Sequence, residues 1–544
     1  MSVPESRAQT AISQKPIRAP RGPALSCKGW QQEAALRMLM NSIDPAVAEH
    51  PEELVVSAGT GKLARDWPAF HAILNSLPAI ESGETLVIRS GEPEPILKTN
   101  PDAPSVLIVN SLLSPASQGH TGGIEVDGLA RPTRMAAHWM FTGPSSALPE
   151  AYETYRAAAR THFGGSLTGR LVVAGGMGGM GGAQALAAAL NGAAFLGIDA
   201  DAERIKRRVK AGYCEVMVNN LDEALRILKN AVRKRELASV GLVGNASEVI
   251  PELAHRGVLP DLLTDQTPAD EPFAYIPQGL TPLQAAELRE QNPRAYRARA
   301  LDSLAAQVRG MLELKKMGAV VFEFGNGILA QAFARGVADA YEIPDFVSEY
   351  LLADLQQCRG LFTAVALSGD LDDLARIDSL FPKLFPDSEL REWIAIARKR
   401  PSPGLPARSC WMRADEAVKL SAAINDAVAR GEMKAPVAMG RSIRQKRAKN
   451  LPGSQPTAQA VNSAAPAQAL ADWPGLPALL DAATGASWLA LQVGAAAGES
   501  WEQGASFAVV ADGKPKTAER IERLLANDLA AAVSRFAPPS QSPG

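Results

Sequence analysis

The run GGMGGMGG at residues 175–182 constrains this chain more than any other stretch. Four apolar residues, 171–174, precede it and read as a short buried strand, and an alanine-rich segment, 183–190, follows it with helical character. Gly176, Gly178 and Gly181 fit G-x-G-x-x-G. Glycines at that spacing permit a tight turn, let backbone approach a pyrophosphate, and let a helix pack closely on a strand. The helix that opens behind them offers free N–H groups and a partial positive charge to phosphates. A second apolar run, 194–198, ends in Asp199. That acid falls roughly 20 residues after the glycines, where a dinucleotide site needs a carboxylate for ribose hydroxyls. Strand, glycine turn, helix, strand and acid in this order predict dinucleotide binding, the alternative being a glycine-rich packing turn.

A chain of 544 residues has room for two to four domains. Lysine plus arginine number 56 against 58 acids, a net charge of −2, so the total gives nucleic acid or an anionic membrane surface no electrostatic handle. No apolar run reaches the roughly 18 residues of a membrane span, and the first 22 residues lack the apolar core of a signal peptide. Cys27, Cys214, Cys358 and Cys410 are scattered, with no C-x-x-C, which predicts neither a disulfide framework nor a metal site. These features together lead to the expectation of a cytoplasmic protein without membrane or nucleic-acid partners.

Residues 1–22 read as a disordered arm and 23–146 as a first α/β segment. Within it, a helix is expected from an N-cap at Ser26, with strands at 54–58, 85–89 and 105–109. The turn GTGK at 59–62 is too short for a phosphate loop but offers backbone donors, and 114–134 looks like a loop. From 147 to about 350 strands alternate with helices: after the glycine loop, strands are expected at 214–218, 239–243, 259–263 and 319–322. That alternation favours a doubly wound parallel sheet with ligands at the carboxyl ends of its strands. The strand ends carry GNA (244–246), TDQT (264–267) and EFGNG (323–327). Residues 346–440 read as mostly helical, 441–471 as an exposed basic and low-complexity loop, and 472–530 as ordered again, with a strand at 507–511 and a last helix from 517.

Several strings together resemble the urocanase family: LSCKGWQQEAALRMLMN, GTGKLAR, HFGGSL, GGMGGMGGAQ, GNASEVIPEL, TDQT, VALSGD, LPARSCW and ADWPGLPALL. The resemblance spans roughly 21–440 and 472–530. It implies a Rossmann-like NAD-binding domain, 147–350, inserted between segments 23–146 and 351–544 that form one core domain. It also implies a homodimeric hydro-lyase that binds NAD+ tightly and uses the nicotinamide as an electrophile, with no net redox. Carried over by position, Gly178, Gly179, Met180, Gly181, Asp199, Arg204, Asn245, Ala246, Gln266, Thr267, Tyr275 and Phe324 would bind NAD, with Ala58, Gly59, Arg134 and Gly498. Thr60, Met135, His138, Phe141 and Arg441 would face the substrate, and Cys410 in LPARSCW would be catalytic. Read without the resemblance, Cys410 is a small buried apolar residue with no identified base.

The departures cluster around the substrate. Where the family has Gln, Thr, Ser and Tyr, this chain has Arg134, Ala136, His138 and Phe141. Asp270 replaces a histidine after TDQT, Phe324 a tyrosine, Gly327 an asparagine, and Ile443 the histidine of an Asp–His pair. Gln492–Gly498, QVGAAAG, replaces H-H-G-G-G-V-G. A kept NAD fingerprint with exchanged substrate groups implies a ring-modified urocanate, such as thiourocanate or its S-methyl form. Plain urocanate and an NAD-binding pseudoenzyme are the alternatives.

Overall fold

The computed structural model describes residues 16–48, 50–57, 60–61, 63–112, 138–269, 272–400, 402–446, 475–494 and 502–536. Its central unit is a six-stranded, all-parallel sheet. We label its strands β1 (Leu171–Gly175), β2 (Ala194–Asp199), β3 (Val216–Val218), β4 (Ala238–Val243), β5 (Leu262–Asp265) and β6 (Val320–Glu323). Their spatial order is β6-β5-β1-β2-β4-β3. The chain moves outward from β1 through β2, then returns to the other side of β1 with β5, so the topological switch point lies between β1 and β5. Alternate residues of β1 enter two different cores, Leu171 and Val173 on one side and Val172 and Ala174 on the other. Helices therefore cover both faces, as parallel sheets require.

A nine-stranded mixed sheet forms the second unit, and it is shared between the chain's two ends. Strand Val106–Leu112 from the first segment lies parallel to Trp488–Gly494 from the last, with Asn110 opposite Gln492. Glu84–Arg89 extends that parallel side. Arg359–Ala366, Ala407–Arg413, Val437–Lys446 and Glu502–Ala511 complete the antiparallel side. The fully buried Arg37 ties the ends together, bonding Glu33 at 2.7 Å in its own helix and the carbonyl of Leu367 at 2.6 Å. The inserted Rossmann-like unit and the two-segment core are thus as expected from the sequence.

Several local expectations are corrected. Residues 346–440 are helical over about half their length, and three long strands of the core sheet, not expected from the sequence, also start there. The run at 441–446 is strand rather than exposed loop: its backbone pairs residue by residue with Glu502–Phe507. Residues 54–58 give the end of helix Pro51–Val55 and a two-residue strand, Val56–Ser57. The helix expected from Ser26 starts at Trp30, because Ser26 and Cys27 instead donate their N–H groups to Glu33. Residues 16–22, expected in the disordered arm, are anchored, with the Gly22 N–H on Ser368 O at 2.7 Å.

Candidate functional site

The glycine loop leaves β1 at the switch point and crosses the TDQT turn that leaves β5. Gly176 has φ +85°, and a Cβ there would stand 2.5 Å from the backbone oxygen of Gln266. A Cβ on Gly181 would collide with the Gly176 carbonyl. Glycine is needed at both because backbone, which cannot move aside, fills the space. Gly179 differs: a side chain there would meet open space. The loop closes through Gly182 N–H on Gly178 O at 2.8 Å and Ala183 N–H on Met180 O at 3.2 Å. Helix Ala183–Leu190 then begins without a side-chain cap, and its first two N–H groups, of Ala183 and Gln184, are taken by the loop carbonyls of Met180 and Gly181.

One cleft beside this loop is lined by Asp199, Arg204, Asn245, Ala246, Thr267 and Tyr275. These come from the ends of β2, β4 and β5 and the segment that follows. Asp199 ends β2 and accepts the N–H of Met177 at 2.8 Å, which fixes its carboxylate against the loop. Arg204 stands 3.8 Å from that carboxylate, and its Nε is buried with no hydrogen-bond partner. Asn245 caps helix Ala246–His255 through Ser247 N–H at 3.0 Å and accepts from Tyr275 Oη at 3.2 Å.

Below the cleft lies a network that reading the sequence missed. Asp265, the last residue of β5, is fully buried and takes hydrogen bonds from Thr267 Oγ1 at 2.8 Å, from Asn326 and from Gln307. Gln307 in turn accepts from Tyr275 Oη at 2.8 Å. Burial pushes the Asp265 carboxyl up to about 6 despite these donors. The network holds the Gln266–Thr267 turn under the glycine loop. Asp265 and Asn326 lie inside the quoted TDQT and EFGNG strings, whereas Gln307, in mid-helix, carries no local signal. Gln266 accepts from Gln184 at 3.0 Å, and Gln184 accepts from Tyr155 Oη at 2.6 Å.

Tyr155 belongs to helix Pro144–His162, which joins the crevice to the core sheet. On this helix Tyr152 packs against Trp393, ring centroids 5.3 Å apart, and Trp393 donates to Ser409 O at 2.9 Å. Phe324, just past β6, is buried and stacked on Phe346 at 4.3 Å, with Tyr155 and Phe322 nearby. His138 and Phe141 are also buried, and both are held by backbone: Trp488 donates to His138 O at 2.9 Å, and Asn41 to Phe141 O at 3.1 Å.

The core sheet separates the remaining site residues. Cys410, Phe362, Arg441 and Phe507 are register partners, so they share one face. Ser409, Thr363, Gly440, Ala508 and Trp488 form the adjacent register row, which points to the opposite face. Met140 packs over Gly440 and His138 over Trp488, so residues 138–140 cover that second face. Cys410 instead faces the side covered by helices Leu371–Leu384, Glu389–Ala397 and Ala414–Ala429, beside the buried Arg408–Asp378 pair, and burial raises its thiol far above the usual range. Arg441 is locked to Asp528 at 2.8 Å and to Cys358 O at 2.8 Å. The structure therefore does not bring Cys410 and Arg441 to the face that carries His138. Ala58, Gly59, Arg134, Met135 and Gly498 lie outside the described residues, and Thr60 falls in the two-residue strand Thr60–Gly61 with its side chain also outside them. Among the described residues no group of His, Cys, Asp or Glu could hold a metal ion.

The fold defines a Rossmann-like α/β protein with a cleft at the carboxyl ends of its parallel sheet. The family models agree along the chain: the urocanase N-terminal domain matches residues 17–131, the urocanase Rossmann-like domain 143–350, and the urocanase C-terminal domain 354–542. The chain belongs to the urocanase family. No described helix is long and apolar enough to cross a membrane.

Proposed function

We propose that this protein is a urocanase-type hydratase that holds NAD+ and adds water to a ring-modified urocanate, thiourocanate or its S-methyl form. The observation that carries the NAD reading is the single cleft lined by Asp199, Arg204, Asn245, Ala246, Thr267 and Tyr275. The residues fit the cofactor. The open space at Gly179 suits a pyrophosphate, and Arg204 Nε, buried without a hydrogen bond and 3.8 Å from Asp201, suits a polar group supplied from outside the chain. Asp199 supplies the carboxylate that ribose hydroxyls require. When bound, NAD+ supplies an electron-poor nicotinamide ring.

The chain's own residues orient and enclose. The Asp265–Gln307–Tyr275 network fixes the turn that carries Gln266 and Thr267. The aromatic group of Phe322, Phe324 and Phe346 excludes water beside the end of β6. Phe141 and Phe324 stand where the family resemblance has tyrosines, which removes hydroxyls and adds apolar surface. An apolar wall rewards a larger, softer ring substituent such as sulfur and gives unmodified imidazole no partner. The reaction is a hydration: water's hydrogen and oxygen both end on the product, and no electron acceptor is consumed.

The test is a comparison of kcat/KM for urocanate, thiourocanate and S-methyl thiourocanate, followed by loss of near-ultraviolet absorbance. The expected result is a preference for a sulfur-bearing ring. Fastest turnover of plain urocanate would make this an ordinary urocanase, and turnover of none, with NAD bound, a pseudoenzyme.

A further inference from the structure

We infer that Asn110, with Gln492 beside it, is a specificity-determining contact that accepts a ring N–H of the azole substrate. The inference rests on the urocanase-type reading and adds a named subsite to it. Asn110 lies near the carboxyl end of Val106–Leu112, in the parallel part of the core sheet, with Gln492 opposite in register. Carboxyl ends of parallel strands are where open sheets bind ligands. Both residues fall on the face that carries Trp488, Ser506 and Gly440, two register steps along from Trp488, and so on the face covered by His138 and Met140.

Asn110 is 3% exposed, and its Oδ1 is buried without a hydrogen bond to any described residue. A buried acceptor is costly to leave unpaired. Nothing in the local backbone requires it, because a strand residue needs no side-chain carbonyl. On the same side of the sheet, Trp139 is fully buried, its indole N–H also has no acceptor, and its backbone sits at φ +60°. A bulky residue in the left-handed region is strained, and such strain gathers at ligand sites. An unpaired acceptor and an unpaired donor on one face are what remains when the partner is a small polar molecule.

The acceptor selects between rings. Imidazole carries one N–H and one bare nitrogen, whereas an imidazole-2-thione carries two N–H groups and no bare ring nitrogen. Asn110 Oδ1 therefore favours the thione, and leaving the acceptor unpaired penalises a ring that presents its bare nitrogen instead.

The test replaces Asn110 with leucine, which keeps the volume and removes the acceptor, and with aspartate, which keeps an acceptor. In N110L, kcat/KM for the preferred thione should fall roughly 10- to 100-fold, chiefly through KM, with bound NAD unchanged and Tm equal or higher. In N110D the thione should retain more activity than in N110L. A merely structural asparagine gives the reverse pattern, a lower Tm with substrate preference intact, and that result overturns the inference, as does an N110L value within about twofold of the parent. If the parent itself neither holds NAD nor turns over any of the three urocanates, the functional reading fails first, and that outcome is distinct from any change seen in the variants.

Discussion

The crevice of the parallel sheet and the face of the mixed sheet covered by His138 and Met140 both bury polar side chains, but they pair them differently. At the crevice, Asp265, Gln307, Tyr275, Asn245 and Thr267 bond one another, while Arg204 Nε and Thr264 Oγ1 are buried without a hydrogen bond. On the core sheet, Asn110, Trp139 and Thr142 each keep a buried polar atom without a partner. A satisfied network is rigid before its ligand arrives, and that suits a resident cofactor. Unsatisfied groups wait for a partner that comes and goes with turnover, and so set specificity. The helix Pro144–His162 joins the crevice, through Tyr155, to the opposite, Cys410 face of the mixed sheet, through Tyr152 and Trp393.

The harshest way to break the contrast is to fill the crossing of the two crevice loops. Gly176→Val should abolish NAD retention and destabilise the protein by at least about 1–3 kcal/mol from backbone strain alone, because Cβ meets the Gln266 backbone. Mass spectrometry of the denatured protein and a thermal melt read both effects. A variant that still retains NAD would show that the glycine loop is only a packing turn.

Asp199→Asn is gentler, since it keeps the shape that accepts Met177 N–H and removes the charge. NAD affinity should fall roughly 10- to 100-fold, with substrate preference among the urocanates unchanged. Titration of NAD+ into stripped protein, followed by calorimetry, measures the loss. An altered ring preference would mean that the two regions are not separable.

Cys410 sharpens the comparison, because the family resemblance and the geometry disagree about it. Its thiol faces the side of the core sheet opposite His138, where burial favours the protonated form. Packing is then its role: Cys410→Ala should cost about 1 kcal/mol of stability and leave KM and bound NAD as in the parent. A large fall in kcat at unchanged Tm would restore the catalytic assignment.

The last effect concerns the joining helix and appears only as pH changes. Glu153 is buried, its Oε2 has no partner, and burial raises its carboxyl from 4.5 to about 7. The unfolded chain releases this proton near 4.5 while the folded chain holds it to about 7. Its contribution to stability is thus full below that window and is lost as pH rises through it. Glu153→Gln should flatten the fall of Tm between those two pH values and raise Tm at pH 8. A Tm profile identical to the parent's would mean that Glu153 is not held protonated by the fold.

The crevice was legible in the sequence because its parts are local. Strand, glycines, helix and Asp199 follow one another within 29 residues, Leu171 to Asp199, and the later strand ends announced themselves with GNA and TDQT. The core sheet was not legible, because its pairing is distant: Asn110 meets Gln492 across most of the chain. The basic run from 441 reads as a solvated loop, yet 441–446 is the second half of strand Val437–Lys446 and Arg441 is buried against Asp528. The faces of Ser409 and Cys410 depend on register, which periodicity alone leaves open. Gln307 joined the network only through the packing of a long helix on the sheet.

The cofactor content of the purified full-length protein tests the central claim most directly. Denaturation followed by mass spectrometry of the supernatant should release close to an equivalent of NAD, in oxidised form, without any having been added. Protein that is empty, and that also fails to take up added NAD+, would contradict the reading of the crevice and the hydratase with it.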